Sequence, residues 1–124
     1  MEKLTLTPIK ADKLFLGKPF CTIGRNSLRL SSAACGLLEN ASEYQYAKLY
    51  TATMDKKTVV VVEFLKDERE GALRIQKSGR ENGITISNKS VMSQAFGAAG
   101  TADNTEQRDV LPYEHDKNML IILP

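Results

Sequence analysis

The sequence predicts a β-rich α+β domain in which two intertwined copies of one strand–strand–helix–hairpin unit form a single pseudo-symmetric barrel. Three observations support this. Apolar residues alternate in short segments, as in half-buried strands. A serine or asparagine precedes a short helical segment in each half of the chain, as an N-cap would. Each half then ends in a polar turn followed by a β-branched or aliphatic run.

The first unit spans residues 20–66. "FCTI" reads as a strand, "GRN" as a tight turn, and "SLRLS" as a second strand with Leu28 and Leu30 on one face. Ser31 or Ser32 then caps a helix of about two turns within "AACGLLE". "EYQYAKLYTAT" is predicted to be a strand, "MDKK" a turn, and "TVVVVEFL" a strand buried on both faces.

The second unit spans residues 71–124 and repeats this order. "ALRIQ" and "GITIS" read as strands on either side of the turn "KSGREN", and Ser87 or Asn88 caps the helix "KSVMSQAF". The segment "GAAGTADNTEQ" is predicted to be a mobile loop. "RDVLPYEH" follows as a strand with Pro112 at an edge or bulge, and "MLIILP" is the closing strand.

The two units align at nearly constant spacing, which indicates an internal duplication. Leu28 and Leu30 correspond to Ile84 and Ile86 at an offset of 56 residues, and "DKKTVVVV" corresponds to "DKNMLIIL" at an offset of 61. Residues 1–19 remain as an N-terminal extension of one domain, 1–124. One unit alone buries too little apolar surface for stability, so both are expected to share a core.

Composition is that of an ordinary globular chain, with 42% hydrophobic and 26% charged residues and a net charge of +2. Residues 1–50 hold seven basic and four acidic residues, which indicates either ordinary solvated faces or, for an anionic partner, contact at this half. The two cysteines, Cys21 and Cys35, lack metal or redox spacing and are expected to be buried thiols. With no signal-peptide pattern and no membrane-spanning run, the sequence predicts a cytoplasmic protein without membrane contact.

"IGRNSLRLSSAACGLL" followed by "DKKTVVVVEF" resembles the swapped-hairpin half-barrel of AbrB- and MazE-type proteins. "KSGRENGITIS" with "DKNMLIILP" resembles the same unit, and MraZ proteins are similar in carrying tandem copies in one chain. There are two departures from the family pattern. Ser32 and Asn88 stand where that family usually has proline, and "LLENASEYQYAKL" lacks the family's Gly-Asp step between the helix and the third strand. The short pattern is also similar to small proteins of phages and mobile elements.

The resemblance implies double-stranded DNA as the partner, contacted by the first hairpin and the start of the helix. It further implies a transcriptional regulator or an accessory protein of a mobile element. The positions that match are Arg25, Asn26, Arg29, Lys77 and Arg80, with Lys89 just inside the helix, and Lys18 joins them from the flank. Arginine on a stiff hairpin suits phosphates and guanine edges. The alternative is that these cations are ordinary solvent-facing residues of amphipathic strands.

Enzyme motifs are not found, so we expect a non-catalytic protein with no cofactor and no metal. His115, the only histidine, lies in a predicted turn, and nothing in the sequence brings it to Cys35 as a nucleophile–base pair. The rival hypothesis is a protein-interaction module or an inhibitor from a phage or mobile element, without nucleic-acid binding. It would use edge strands or the residues Tyr44, Tyr46, Tyr50 and Tyr113. A homodimer stays open under either hypothesis.

Overall fold

The computed structural model describes residues 5–7, 18–77 and 83–124. Within these ranges the protein is a strand-rich α+β fold with few helices and one nearly closed, antiparallel, barrel-like sheet. The strands are β1 (Phe20–Gly24), β2 (Ser27–Leu30), β3 (Tyr46–Met54), β4 (Lys57–Leu65), β5 (Leu73–Arg74), β6 (Gln76–Lys77), β7 (Ile84–Ser87), β8 (Glu106–Pro112) and β9 (Met119–Ile122). The helices are α1 (Ser32–Cys35), a 3₁₀ turn (Ala41–Glu43), α2 (Lys89–Phe96) and α3 (Ala98–Thr101).

The sheet closes through a single residue. Its strand order is β5-β3-β4-β9-β8-β1-β2-β7-β6, so the two terminal strands, β5 and β6, are consecutive in the chain and separated only by Ile75. Ile75 is 7% exposed, and its amide donates to the carbonyl of Gln45 at 2.9 Å. The predicted strand "ALRIQ" is therefore broken in the middle, because its first part pairs with β3 and its second with β7.

The core lies inside this barrel and takes residues from both halves of the chain. Alternate residues of each strand point inward, as the two-residue period of a strand requires. The largest fully buried side chains are Phe64, Ile23, Leu28, Ile86, Met92, Leu120, Ile122, Val62 and Cys21. The prediction that "TVVVVEFL" is buried on both faces is confirmed only in part. On the inner face Val60, Val62 and Phe64 are at most 3% exposed. On the outer face Val59 and Leu65 are buried, but Val61 and Glu63 between them are only half-buried.

The helices begin where the caps predict. The Ser31 hydroxyl accepts from the Ala34 amide at 3.1 Å, and the Asn88 side chain accepts from the Val91 amide at 2.9 Å. Helix α2 covers the predicted residues, whereas α1 is one turn long and ends at Gly36. The remainder of "AACGLLE" leaves the helix because Gly36 weakens it and Leu38 turns into the core instead.

The prediction of a mobile loop over "GAAGTADNTEQ" is wrong for its first part. Ala98–Thr101 is helical, and residues 106 and 107 already belong to β8. Gly100 is buried against α2, where a Cβ atom would overlap the carbonyl oxygen of Met92. The glycine therefore serves close packing of α3 on α2, a role that composition alone does not distinguish from flexibility.

Replacing Gly100 with alanine is expected to lower the free energy of unfolding by about 1–3 kcal/mol, because the added methyl group forces the two helices apart. Urea unfolding followed by circular dichroism measures this change. Gly36→Ala is the matched control, since Gly36 has a helical φ of −65° and its new Cβ would have a closest contact of 3.3 Å, to Ala33. Equal stability of Gly100→Ala and the natural protein would contradict the packing described.

Candidate nucleic-acid interface

The tip of the β1–β2 hairpin is a two-residue turn that is stabilised by hydrogen bonds to residues 100–103. Arg25 and Asn26 have φ angles of 54° and 63°, as the central residues of a type I′ hairpin turn require. Their amides donate to the carbonyls of Ala102 at 2.8 Å and Gly100 at 2.9 Å. The guanidinium Nε of Arg25 donates to the carbonyl of Asp103 at 2.9 Å. These bonds stabilise a left-handed backbone conformation that is otherwise unfavourable for a residue with a bulky side chain.

Asn26 faces the protein rather than solvent. Its carbonyl accepts from the Asn88 amide at 3.0 Å, which joins the hairpin tip to the start of α2. Its side-chain oxygen is buried and has no hydrogen-bond partner among the described residues. The other predicted residue of this turn, Arg25, is exposed. The tip therefore offers a partner the guanidinium of Arg25, and not the side-chain oxygen of Asn26.

Arg29 stands at the centre of a polar row that crosses five strands. On β2 it pairs with Thr22 of β1 on one side and with Thr85 of β7 on the other. Beyond these, Gln107 of β8 pairs with Thr22, and Gln76 of β6 pairs with Thr85. Paired residues share one face of a sheet, and Leu28 and Leu30 occupy the inner face of β2. The row therefore lies on the outside, and we call it the Arg29 row.

The Arg29 row is surrounded by small polar groups. The hydroxyls of Ser27 and Ser87, which are paired across β2 and β7, are hydrogen-bonded at 2.8 Å. At outward positions of β1, β2, β6, β7 and β8 the structure places one carboxylate, Asp109, and Lys18 forms a 3.1 Å ion pair with it. Lys18 is thus beside this face, as predicted, but its charge is balanced.

The remaining predicted residues are only partly brought to the Arg29 row. Lys89 is exposed in the first turn of α2, next to the hairpin tip. Lys77 pairs with Ile84, a core residue, so it lies on the other face of β6, where its ammonium group donates to the Ser42 carbonyl. Arg80 lies outside the described residues. The site predicted from the sequence did not include Thr22, Thr85, Gln76 and Gln107. Alternation places these residues on the outward face, but only the strand register aligns them with Arg29 in one row.

The chemically reactive side chains lie away from this face and are not paired with one another. Burial raises the pKa of Cys21 to about 12, and burial also raises the pKa of Cys35. His115 is exposed and stacks edge-on against Tyr113, with 5.4 Å between ring centroids. Among residues 5–7, 18–77 and 83–124, no group of three or more His, Cys, Asp or Glu is placed to hold a metal ion. None of the described helices has the length and apolar character needed to cross a membrane.

Both thiols are expected to resist Ellman's reagent in the folded protein at pH 8, because burial blocks access and holds Cys21 in its protonated form. In urea, both of the chain's cysteines should react. The absorbance of the released thiolate measures the number that react, and Cys21→Ser serves as the control that assigns the signal. Rapid reaction of either thiol without denaturant would contradict the burial described.

The AbrB/MazE-like resemblance rests on the quoted motifs, since the comparisons identify no family. No family model matches the chain, and neither a curated protein nor a solved structure matches it.

Proposed function

We propose that the protein is a non-catalytic DNA-binding protein that contacts the duplex backbone through the face centred on the Arg29 row. The observation that carries the proposal is the row itself: an exposed arginine on a nearly closed sheet, flanked on both sides by threonine and then glutamine. Guanidinium, hydroxyl and amide groups are those that proteins use to hold phosphates in place.

The charge distribution on this face supports the same conclusion. Its one outward carboxylate among the described strands, Asp109, is paired with Lys18. Arg25 and Lys89 add cations near the hairpin tip and the start of α2. With few cations available, binding is expected to be weak and to depend steeply on salt.

We further propose that the chain is a duplicated swapped-hairpin unit, with repeats over residues 20–66 and 71–124. The strand pairs support this. β2 pairs with β7, its counterpart, and β4 pairs with its counterpart β9. β1 pairs with β8 of the other repeat, just as β5 pairs with β3. Each closing hairpin thus lies against the other repeat's first strand, as expected of a swapped arrangement.

The direction in which the side chains point supports the offset of 56 residues between β2 and β7. It also corrects the offset between the last strands of the two repeats. Val60 and Val62 of β4 point into the core, as do Leu120 and Ile122 of β9. An offset of 60 residues keeps these pairs on one face, whereas the sequence-based offset of 61 places Val60 against Ile121. In a duplicated chain, corresponding residues of β4 and β9 are therefore 60 positions apart, one fewer than the sequence alignment indicates.

The proposed two-fold axis passes through the pair Arg29 and Thr85, since 29 plus 56 is 85. A duplicated arginine would give two equivalent cations here, but the second repeat has threonine. The proposed DNA contact is therefore asymmetric, which suits weak or one-sided recognition by a transcriptional regulator or an accessory protein of a mobile element.

A protein-interaction module is the second candidate function. One observation favours it: the side of the barrel opposite the Arg29 row carries exposed apolar side chains, including Tyr50 and Leu111 at 40% and 41% exposure. The hypothesis that such a module uses edge strands has no support from the aliphatic strands β4 and β9, because both lie in the interior of the sheet. Such a module would act through the face of these strands.

Arg29→Ala is expected to weaken binding of a random-sequence duplex several-fold and to lower the slope of log affinity against log salt by about one, because one phosphate contact is lost. Fluorescence anisotropy of a labelled duplex across a salt series measures both. Thr85→Arg should have the opposite effect by restoring the second cation across the proposed axis.

Arg69→Ala is the matched control, since it removes an exposed arginine from the β4–β5 link and should leave both quantities unchanged. Absence of duplex binding at low salt, together with a defined protein partner, would replace the DNA proposal with the interaction module. Equal losses in Arg29→Ala and Arg69→Ala would point to general charge attraction rather than to this face.

A further inference from the structure

The outward side of β3, β4, β9 and β8 bears a continuous apolar surface. One cross-strand row runs Tyr50–Val61–Ile121–Leu111, as the strand register gives it. Met54, Val59, Met119 and Tyr113 adjoin this row, and together these eight residues form what we call the outer apolar face. Its exposed members are Tyr50, Leu111 and Tyr113, whereas Val59 and Ile121 are only 3% and 9% exposed. All of the eight except Leu111 line an open groove of about 360 Å³. Exposed apolar areas that span several strands usually mark binding surfaces.

Charged groups mark the four corners of this face. At one corner Lys48 lies opposite Glu63, and at the diagonal corner Lys18 is ion-paired with Asp109, so both corners are balanced. The other two corners are the turns that close the two hairpins. Residues 55–57, Asp-Lys-Lys, are exposed and carry one net positive charge. In the other turn Glu114 and Asp116 are exposed and carry two negative charges, while the neighbouring Lys117 is ion-paired with Glu39 at 3.0 Å.

We propose that the outer apolar face binds a second copy of this chain in a two-fold symmetric dimer. A two-fold axis lying in the interface along the diagonal of the balanced corners exchanges the other two corners. It thereby places the basic turn of each copy against the acidic turn of its partner. The same axis brings each balanced corner against the same corner of the partner copy. Because these corners have no net charge, this contact creates no repulsion. A self-complementary surface of this kind is what a two-fold interface requires.

Charge complementarity favours a second copy over a foreign peptide. A basic or an acidic segment would match one of the two charged turns and would be repelled by the other. The chain itself presents both signs, at diagonally opposite corners of the face. The apolar row supplies the desolvated centre, and the turns supply a polar rim, which is the usual composition of a stable interface.

The proposed dimer is independent of the proposed DNA contact. The β4–β9 pair and the β2–β7 pair lie on opposite sides of the nearly closed sheet, given the strand order. The dimer would thus leave an Arg29 row exposed at each end. Failure of dimerisation would not affect duplex binding by a single chain, and failure of duplex binding would not affect the dimer.

Sedimentation velocity of the full chain over a wide concentration range tests the dimer. The natural protein should shift from monomer to dimer with concentration, and Leu111→Asp should weaken association at least about tenfold by placing a charge in the apolar row. Thr85→Asp is the matched control, since it adds the same carboxylate on β7, on the opposite side of the barrel. A monomer at every concentration, or a dimer unaffected by Leu111→Asp, would overturn the proposal.

Charge reversal tests the orientation of the two copies without disturbing the core. The double variants Lys56→Glu with Lys57→Glu, and Glu114→Lys with Asp116→Lys, should each associate more weakly than the natural protein because like charges then meet. Mixed together, the two variants should form a heterodimer at least as stable as the natural dimer. Circular dichroism confirms folding of each variant. No association in the mixture, or unchanged self-association of both variants, would exclude the two-fold arrangement.

Discussion

The structure depends on strand pairing between the two halves of the chain. β2 joins β7 and β4 joins β9, so neither half can complete a sheet or enclose an apolar interior without the other. Each half contributes fully buried side chains to one core, such as Leu28 and Phe64 from the first and Ile86 and Leu120 from the second. The helices, the closure at Ile75 and both exposed faces follow from this pairing.

The closed sheet separates two surfaces with opposite chemistry. The side built on β2 and β7 is polar because threonine, glutamine, serine and Arg29 occupy the outward positions. The side built on β4 and β9 is apolar because β-branched and aromatic residues occupy both faces of those strands. The barrel thus presents a polar surface and an apolar surface on different sides of one sheet.

The sequence could predict most elements, because alternation, caps and turn residues act locally. The hairpin turn at Arg25, the caps Ser31 and Asn88, and the strand β4 depend on neighbours within a few residues. The break at Ile75 could not be predicted, since it depends on two distant partner strands. The position of Lys77 could not be predicted either, because the strand register places its neighbour Gln76, and not Lys77, in the Arg29 row. The same holds for Gly100, because its close contact with α2 is a tertiary contact.

The pairing of β1 with β8 has a consequence for biosynthesis. As the ribosome releases the chain, Phe20–Gly24 emerges more than eighty residues before the strand that completes it. Until then the aliphatic segment Lys57–Leu65 also lacks its neighbour β9. Nascent chains with unpaired aliphatic strands are substrates for holding chaperones, and long-range pairing slows their maturation. The chain must therefore reach its last strand before either segment has its full set of neighbours in the sheet.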